Sequence, residues 1–150
     1  MSNTELFLAN VIALESEAAT YYESFGQRAL EAGDTELEAF FSGLAELTRL
    51  EAEEARIGGG LNVKASIAQA RLPARQLPTR SAMRVGSDAL LELHRAMMQA
   101  LELKRRSHAY YASMAALTPD ASLRQMAQSF EHESASHLEA LEKWIVRLSV

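Results

Sequence analysis

The chain has 150 residues, enough for one domain that buries about 70% of the surface its unfolded form exposes. It contains no cysteine, which excludes disulfides, thiolate metal sites and cysteine nucleophiles. The net charge of −5 is uneven, with 12 acidic and 3 basic residues in 1–57, 1 and 5 in 58–88, and 7 of each in 89–150. The basic residues of 58–88 form only a small patch in an acidic protein, which does not favour nucleic-acid binding. With no leader-like start and no long apolar run, we expect a soluble, cytoplasmic protein without membrane contact.

The first hairpin is predicted from apolar spacing and end signals. Ser2 and Glu5 have the spacing of a capping box, and a second helix can begin at Asp34 or Thr35 after a stop near Gly33. Apolar residues recur in steps of three or four in both helices, except where the spacing lands on polar residues between 11 and 18 and between 44 and 55: Leu8, Val11, Ala18, Tyr22, Phe25 and Ala29, then Leu37, Phe41, Leu44 and Ala55. The short turn predicts that the two helices are antiparallel.

Residues 59–82 form a linker that separates the two halves. It begins with glycines, contains Pro73 and Pro78, and carries scattered basic side chains that could lie against the acidic helices or contact a partner. A short helix over 65–72 is compatible with its composition. A link of this length can span a helix of about 25 residues, which is ~38 Å long. We therefore predict a crossover that makes the third helix parallel to the second.

The second hairpin follows the linker. Ser87 and Asp88 suit a helix start, and Thr118 followed by Pro119 predicts the N-cap and first residue of a fourth helix. Its apolar stripes are Leu90, Leu93, Met97, Ala100, Tyr111 and Met114, then Leu123, Ala127, Phe130, Leu141, Trp144 and Leu148. The sequence therefore predicts an all-α four-helix bundle formed by one domain of residues 1–150.

An internal repeat relates the two hairpins. An offset of 89 residues places Tyr22 on Tyr111 and Glu15 on Lys104. In the second helix of each hairpin, an offset of 86 places Thr48 on Ser134 and Glu51 on His137. Six polar positions therefore interrupt the apolar stripes at matching places: Glu15, Thr48, Glu51, Lys104, Ser134 and His137. Because an unpaired buried charge is costly, this polar layer must be internally paired, bind a metal or open to water.

These residues resemble a known family. Paired helices with Glu, then Tyr seven residues later, then Glu-x-x-His in the next helix, look like the rubrerythrin branch of the ferritin-like superfamily. The likeness lies in ALESEAATYYESF, GDTELEAFFSGLAELTRLEAEEA and LRQMAQSFEHESASHLEALEKW. It implies a ferritin-like bundle and two irons, held by a Glu from each of helices 1 and 3 and Glu-x-x-His from each of helices 2 and 4.

The expected iron ligands are only partly present. Glu15 and His137 match the family pattern. In helix 2, however, Thr48 and Glu51 occupy the positions where the family has Glu and His. Lys104 and Ser134 stand where the family has Glu. The rubredoxin module of long family members, which needs cysteines, is also missing from this chain.

Three interpretations follow. In the first, the two-iron site is largely lost and the layer is a metal-free or weakly metal-binding polar core without the redox activity of the family. Lys104 replaces the cations, Glu15 and Glu51 offset its charge, and the inward tyrosines, Tyr22 and Tyr111, satisfy Glu15 or Lys104. In the second, one Fe, Mn or Zn ion binds Glu15, Glu51 and His137, with Glu133 as a further ligand, for iron or peroxide oxidoreductase chemistry.

The third interpretation is an interaction or small-ligand module. A homodimer is expected, although the apolar residues beside the stripes can mark either a subunit interface or simply a broad core: Phe7, Phe40, Leu47, Leu50 and Leu101. The remaining histidines, His94, His108 and His132, are expected at exposed or edge positions.

Overall fold

The computed structural model describes residues 2–58 and 87–148, which form helices without any strand. The four helices are α1 (Asn3–Glu31), α2 (Thr35–Arg56), α3 (Ser87–Leu117) and α4 (Ala121–Leu148). The prediction of an all-α four-helix bundle is confirmed. The linker 59–82, its possible short helix and the crossover lie outside the described residues.

Local end signals set the helix boundaries. The Ser2 hydroxyl accepts a hydrogen bond from the Glu5 amide at 3.1 Å, and the Asp34 carboxylate accepts one from the Leu37 amide at 3.0 Å. Gly33 takes a φ of 82° between α1 and α2, a conformation that favours glycine. The N-cap of α4 is Asp120, which accepts from the Ser122 amide at 2.9 Å, so the assignment of the cap to Thr118 was wrong.

Contacts between the helices define their directions. Within the hairpins, Phe25 packs on Phe41 at 5.5 Å between ring centroids, and Tyr111 packs on Phe130 at 5.4 Å. Between the hairpins, α1 contacts α3 through Phe7–Tyr110 and, further along α1, through Glu15–Lys104. In the same way, α2 contacts α4 through Phe40–Trp144 and, further along α2, through Glu51–His137. Between the hairpins one residue number rises as the other falls, and the short turns at 32–34 and 118–120 reverse the chain within each hairpin, so all these neighbours are antiparallel. It follows that α2 and α3 run in the same direction.

The core is broader than the predicted stripes. Phe7, Phe40, Leu47 and Leu101 are at most 5% exposed, and only Leu50 of the five proposed interface residues is exposed. Those four residues widen the core and do not form a surface for a partner, because each helix buries a face wider than a single stripe. Within residues 2–58 and 87–148, no helix combines the length and the apolar character needed to cross a membrane.

Candidate metal centre

The polar layer lies inside the bundle, as predicted. All six of its residues are at most 2% exposed, and the inward tyrosines are fully buried: Glu15, Thr48, Glu51, Lys104, Ser134 and His137, with Tyr22 and Tyr111. Every helix contributes to it because the interrupting positions continue the three-and-four spacing of the apolar residues. The layer separates two apolar clusters, one near the α1–α2 turn and the other near the start of α1.

The first half of the layer is an ion pair between α1 and α3. Lys104 Nζ lies 3.4 Å from Glu15 Oε2, and both side chains are fully buried. The Tyr111 hydroxyl donates to Glu15 Oε1 at 2.5 Å. Lys104 Nζ also lies 5.7 Å from the centroid of the Tyr22 ring. Both carboxylate oxygens of Glu15 therefore have partners from the protein.

The electrostatics of this half keep Lys104 charged. Burial alone would lower the pKa of Lys104, but the negative charge of Glu15 raises it above its ordinary value. Burial raises the pKa of Tyr22 to about 12 and also raises that of Tyr111, chiefly by desolvation. At neutral pH, Lys104 is therefore an ammonium beside two neutral phenols.

The second half of the layer contains Glu51 and His137. Glu51 Oε1 lies 3.7 Å from His137 Nε2 and has no hydrogen-bond partner among the described residues. Burial, followed by the nearby charge of Glu15, raises the pKa of Glu51 well above its usual range. The folded protein therefore keeps the Glu51 proton to a higher pH than a solvent-exposed carboxyl group would.

Three residues in this half can provide ligands to one ion. Ligand atoms of Glu51, Glu133 and His137 all lie within 4.8 Å of one another. Glu133 is half-buried, so it connects the cluster to the surface of α4. Of the four ligands named from the sequence, these three lie together, whereas Glu15 pairs with Lys104.

The hydroxyls of the layer have other partners. Thr48 Oγ1 donates at 2.7 Å to the main-chain carbonyl one turn earlier in α2, and Ser134 Oγ donates at 2.9 Å to the Glu131 carbonyl. Ser134 Oγ also lies 2.8 Å from His108 Nδ1. His108 was placed at an edge from the sequence and is half-buried; its position one turn after Lys104 was the signal that it adjoins the layer.

Searches of family models, curated proteins and solved structures find no match for this chain. The class of protein is therefore defined by its fold and its site and not by a relative. It is a four-helix bundle whose core holds a charged layer. One half of that layer is internally paired, and the other is rich in metal-ligating groups.

Replacing Glu51 with glutamine is expected to flatten the pH dependence of stability. In the wild type, the unfolded chain loses the Glu51 proton near the ordinary pKa of 4.5, whereas the folded chain keeps this proton to higher pH. The contribution of this proton to the free energy of unfolding is complete below pH 4.5. It falls as pH rises towards the raised pKa of the folded state, by up to about 1.4 kcal/mol per pH unit.

Urea unfolding with chelator present, between about pH 5 and about pH 8, measures this slope. Glu46→Gln, at an exposed position of the same helix, is the control and should keep the wild-type slope. Equal slopes in the wild type and Glu51→Gln would contradict a proton held by Glu51.

Proposed function

We propose that this chain is a ferritin-like bundle of rubrerythrin type that has lost the two-iron centre and binds one divalent ion, Fe, Mn or Zn, in its core. Glu51, Glu133 and His137 would hold the ion. The two-metal chemistry of the family, peroxide reduction or iron oxidation, would be absent. Metal binding, rather than catalysis, is the proposed activity of the site.

The observation that carries this proposal is the convergence of three ligand atoms within 4.8 Å in the core. Two carboxylates and one imidazole, with open coordination positions, suit these metals. The ion would also bind the buried Glu51 Oε1, which makes no hydrogen bond among the described residues. The donor set therefore fits one ion, which would act there as a Lewis acid.

The residues do not fit a second ion. Both oxygens of Glu15 are engaged by Lys104 and Tyr111, and the buried ammonium repels a neighbouring divalent cation. Thr48 and Ser134 direct their hydroxyl hydrogens to main-chain carbonyls of their own helices. Lys104 takes the role of the second ion by supplying a fixed positive charge to Glu15.

Helix directions support the ferritin-like part of the proposal. A bundle of four helices joined only by short turns would make α2 and α3 antiparallel, whereas here they run in the same direction. A single long connection between the second and third helices has this consequence, and it distinguishes ferritin-like bundles from simple up-and-down bundles.

Metal titration of the chelator-treated protein tests the proposed function. Calorimetry with Mn²⁺ and Zn²⁺ is expected to give one ion per chain. His137→Ala and Glu133→Gln should each weaken binding by at least about 100-fold, because loss of a group that merely orients a ligand already costs about 10–100-fold.

Glu131→Gln, at a half-buried position of the same helix outside the cluster, is the matched control and should bind as the wild type does. Binding that survives His137→Ala would place the ion elsewhere. A wild type that binds no ion would leave the first interpretation, a metal-free polar core, as the account of this layer.

A further inference from the structure

The polar layer carries a balance of charges that extends beyond the pair of Glu15 and Lys104. Binding of an ion requires Glu51 and Glu133 as carboxylates and His137 as a neutral imidazole. With Glu15, three negative charges then face one positive charge, that of Lys104. The layer therefore lacks two positive charges, which is the charge of one divalent ion.

The internal repeat relates position 104 to this balance. The offset of 89 residues makes Lys104 the equivalent of Glu15. A carboxylate at position 104 would give the layer four negative charges, enough for two divalent ions. Lysine in its place changes the sum by two units, so that a single divalent ion completes it. One buried ammonium therefore accounts for the charge of one whole ion.

The charge of Lys104 also reaches the proposed ligands. Burial and the charge of Glu15 raise the pKa of Glu51, and the charge of Lys104 opposes them. The ammonium is fully buried, so bulk water and salt screen it little. An ion held by Glu51 is therefore subject to the same positive charge.

We propose that Lys104 determines the valence of the ion, so that the site selects a divalent ion over a trivalent one. This inference rests on the proposed function and specifies the class of ion within it. The carboxylates alone would favour the ion of higher charge, because their attraction grows with that charge. With Lys104 present, a trivalent ion leaves one uncompensated positive charge in the core, which is costly. Iron is accordingly held as Fe²⁺ in preference to Fe³⁺.

The relative affinities for Zn²⁺ and Ga³⁺ test this role, because neither ion changes its oxidation state during the measurement. Each is supplied to the chelator-treated full chain as a citrate complex, and bound metal is measured by mass spectrometry after dialysis. The wild type is expected to favour Zn²⁺, and His137→Ala should lose both ions if they share this site. Lys104→Met should shift the ratio of the two dissociation constants towards Ga³⁺ by about tenfold or more, the effect of one unit charge within ~10 Å at an effective dielectric constant of about 20.

Two further variants decide the question if Lys104→Met folds poorly. Glu15→Gln removes a negative charge and should shift the ratio the other way, towards Zn²⁺. The double variant Glu15→Gln/Lys104→Met removes one charge of each sign and should keep the wild-type ratio. Glu54, which is also buried on α2, is unchanged in all three, so its charge does not affect the comparison.

Glu102→Gln is the matched control, because it removes a charge at an exposed position of α3 two residues before Lys104. It should leave the ratio unchanged within about twofold, since solvent screens that charge. Opposite shifts in the two single variants, with the wild-type ratio in the double variant, would support the proposal.

A ratio that is the same in every variant, with Zn²⁺ still bound, would overturn the role of Lys104 while leaving the metal site intact. A wild type that favours Ga³⁺ would also overturn it. A wild type that binds neither ion would instead remove the proposed function, and this inference with it.

Discussion

Replacing Lys104 with methionine is expected to lower the free energy of unfolding by about 3–5 kcal/mol at neutral pH. Methionine fills a similar volume, so the loss arises from charge rather than packing. Without the ammonium, the fully buried Glu15 carboxylate keeps the hydrogen bond from Tyr111 but loses its positively charged partner. It must then remain as an uncompensated buried charge or take up a proton, and both destabilise the folded state.

Urea unfolding monitored by circular dichroism measures this effect. The double variant Glu15→Gln/Lys104→Met removes both charges and should recover much of the lost stability, since a neutral pair carries no uncompensated charge. Lys143→Met, whose ion pair with Glu139 is largely exposed, is the matched control and should change stability by less than about 1 kcal/mol. A Lys104→Met loss no larger than that of Lys143→Met would contradict the buried ion pair.

Replacing Phe7 with alanine is expected to lower stability by a similar amount, about 3–5 kcal/mol. Phe7 is fully buried and contacts three aromatic rings: Tyr110 at 5.8 Å, Tyr111 at 6.1 Å and Phe130 at 5.9 Å between centroids. Alanine would leave a cavity beside Tyr111, the residue that donates a hydrogen bond to Glu15. Near-ultraviolet circular dichroism of the tyrosines should therefore change along with the unfolding midpoint.

Two controls separate packing from a general effect at the start of α1. Phe7→Leu keeps an apolar side chain in place and should cost less than Phe7→Ala, about 1–2 kcal/mol. Leu6→Ala, at the adjacent position that is 51% exposed, should cost less than about 1 kcal/mol. Equal losses for Phe7→Ala and Leu6→Ala would show that Phe7 is not part of the core.

The sequence predicts the helices well because their signals are local. The capping groups of Ser2 and Asp34 and the positive φ of Gly33 follow from residue type and near neighbours. The α4 cap was misplaced by two residues because Thr118 and Asp120 both suit that role, and the choice depends on which backbone amides each can reach. Hydrophobic periodicity also placed all six polar-layer residues in the interior.

The pairing inside the layer could not be derived from periodicity alone. Spacing shows that Glu15, Glu51 and His137 face the core. Which carboxylate contacts Lys104 depends on the lengths and conformations of the side chains, and in the structure it is Glu15. Glu133 joins the cluster from a position beside the main apolar stripe of α4. A small rotation of the helix about its axis decides whether such an edge position faces the core or the surface. The same ambiguity explains Phe7 and Phe40, whose edge positions suggested a surface although both are buried.

Anomalous diffraction from crystals grown with Mn²⁺ tests directly whether Lys104 replaces one cation and leaves a site for one ion. We expect a single manganese peak among Glu51, Glu133 and His137, with Lys104 still paired to Glu15. Two peaks would show that a two-metal centre survives, and one peak at Glu15 with Lys104 displaced would place the ion in the other half of the layer; either result would contradict this expectation.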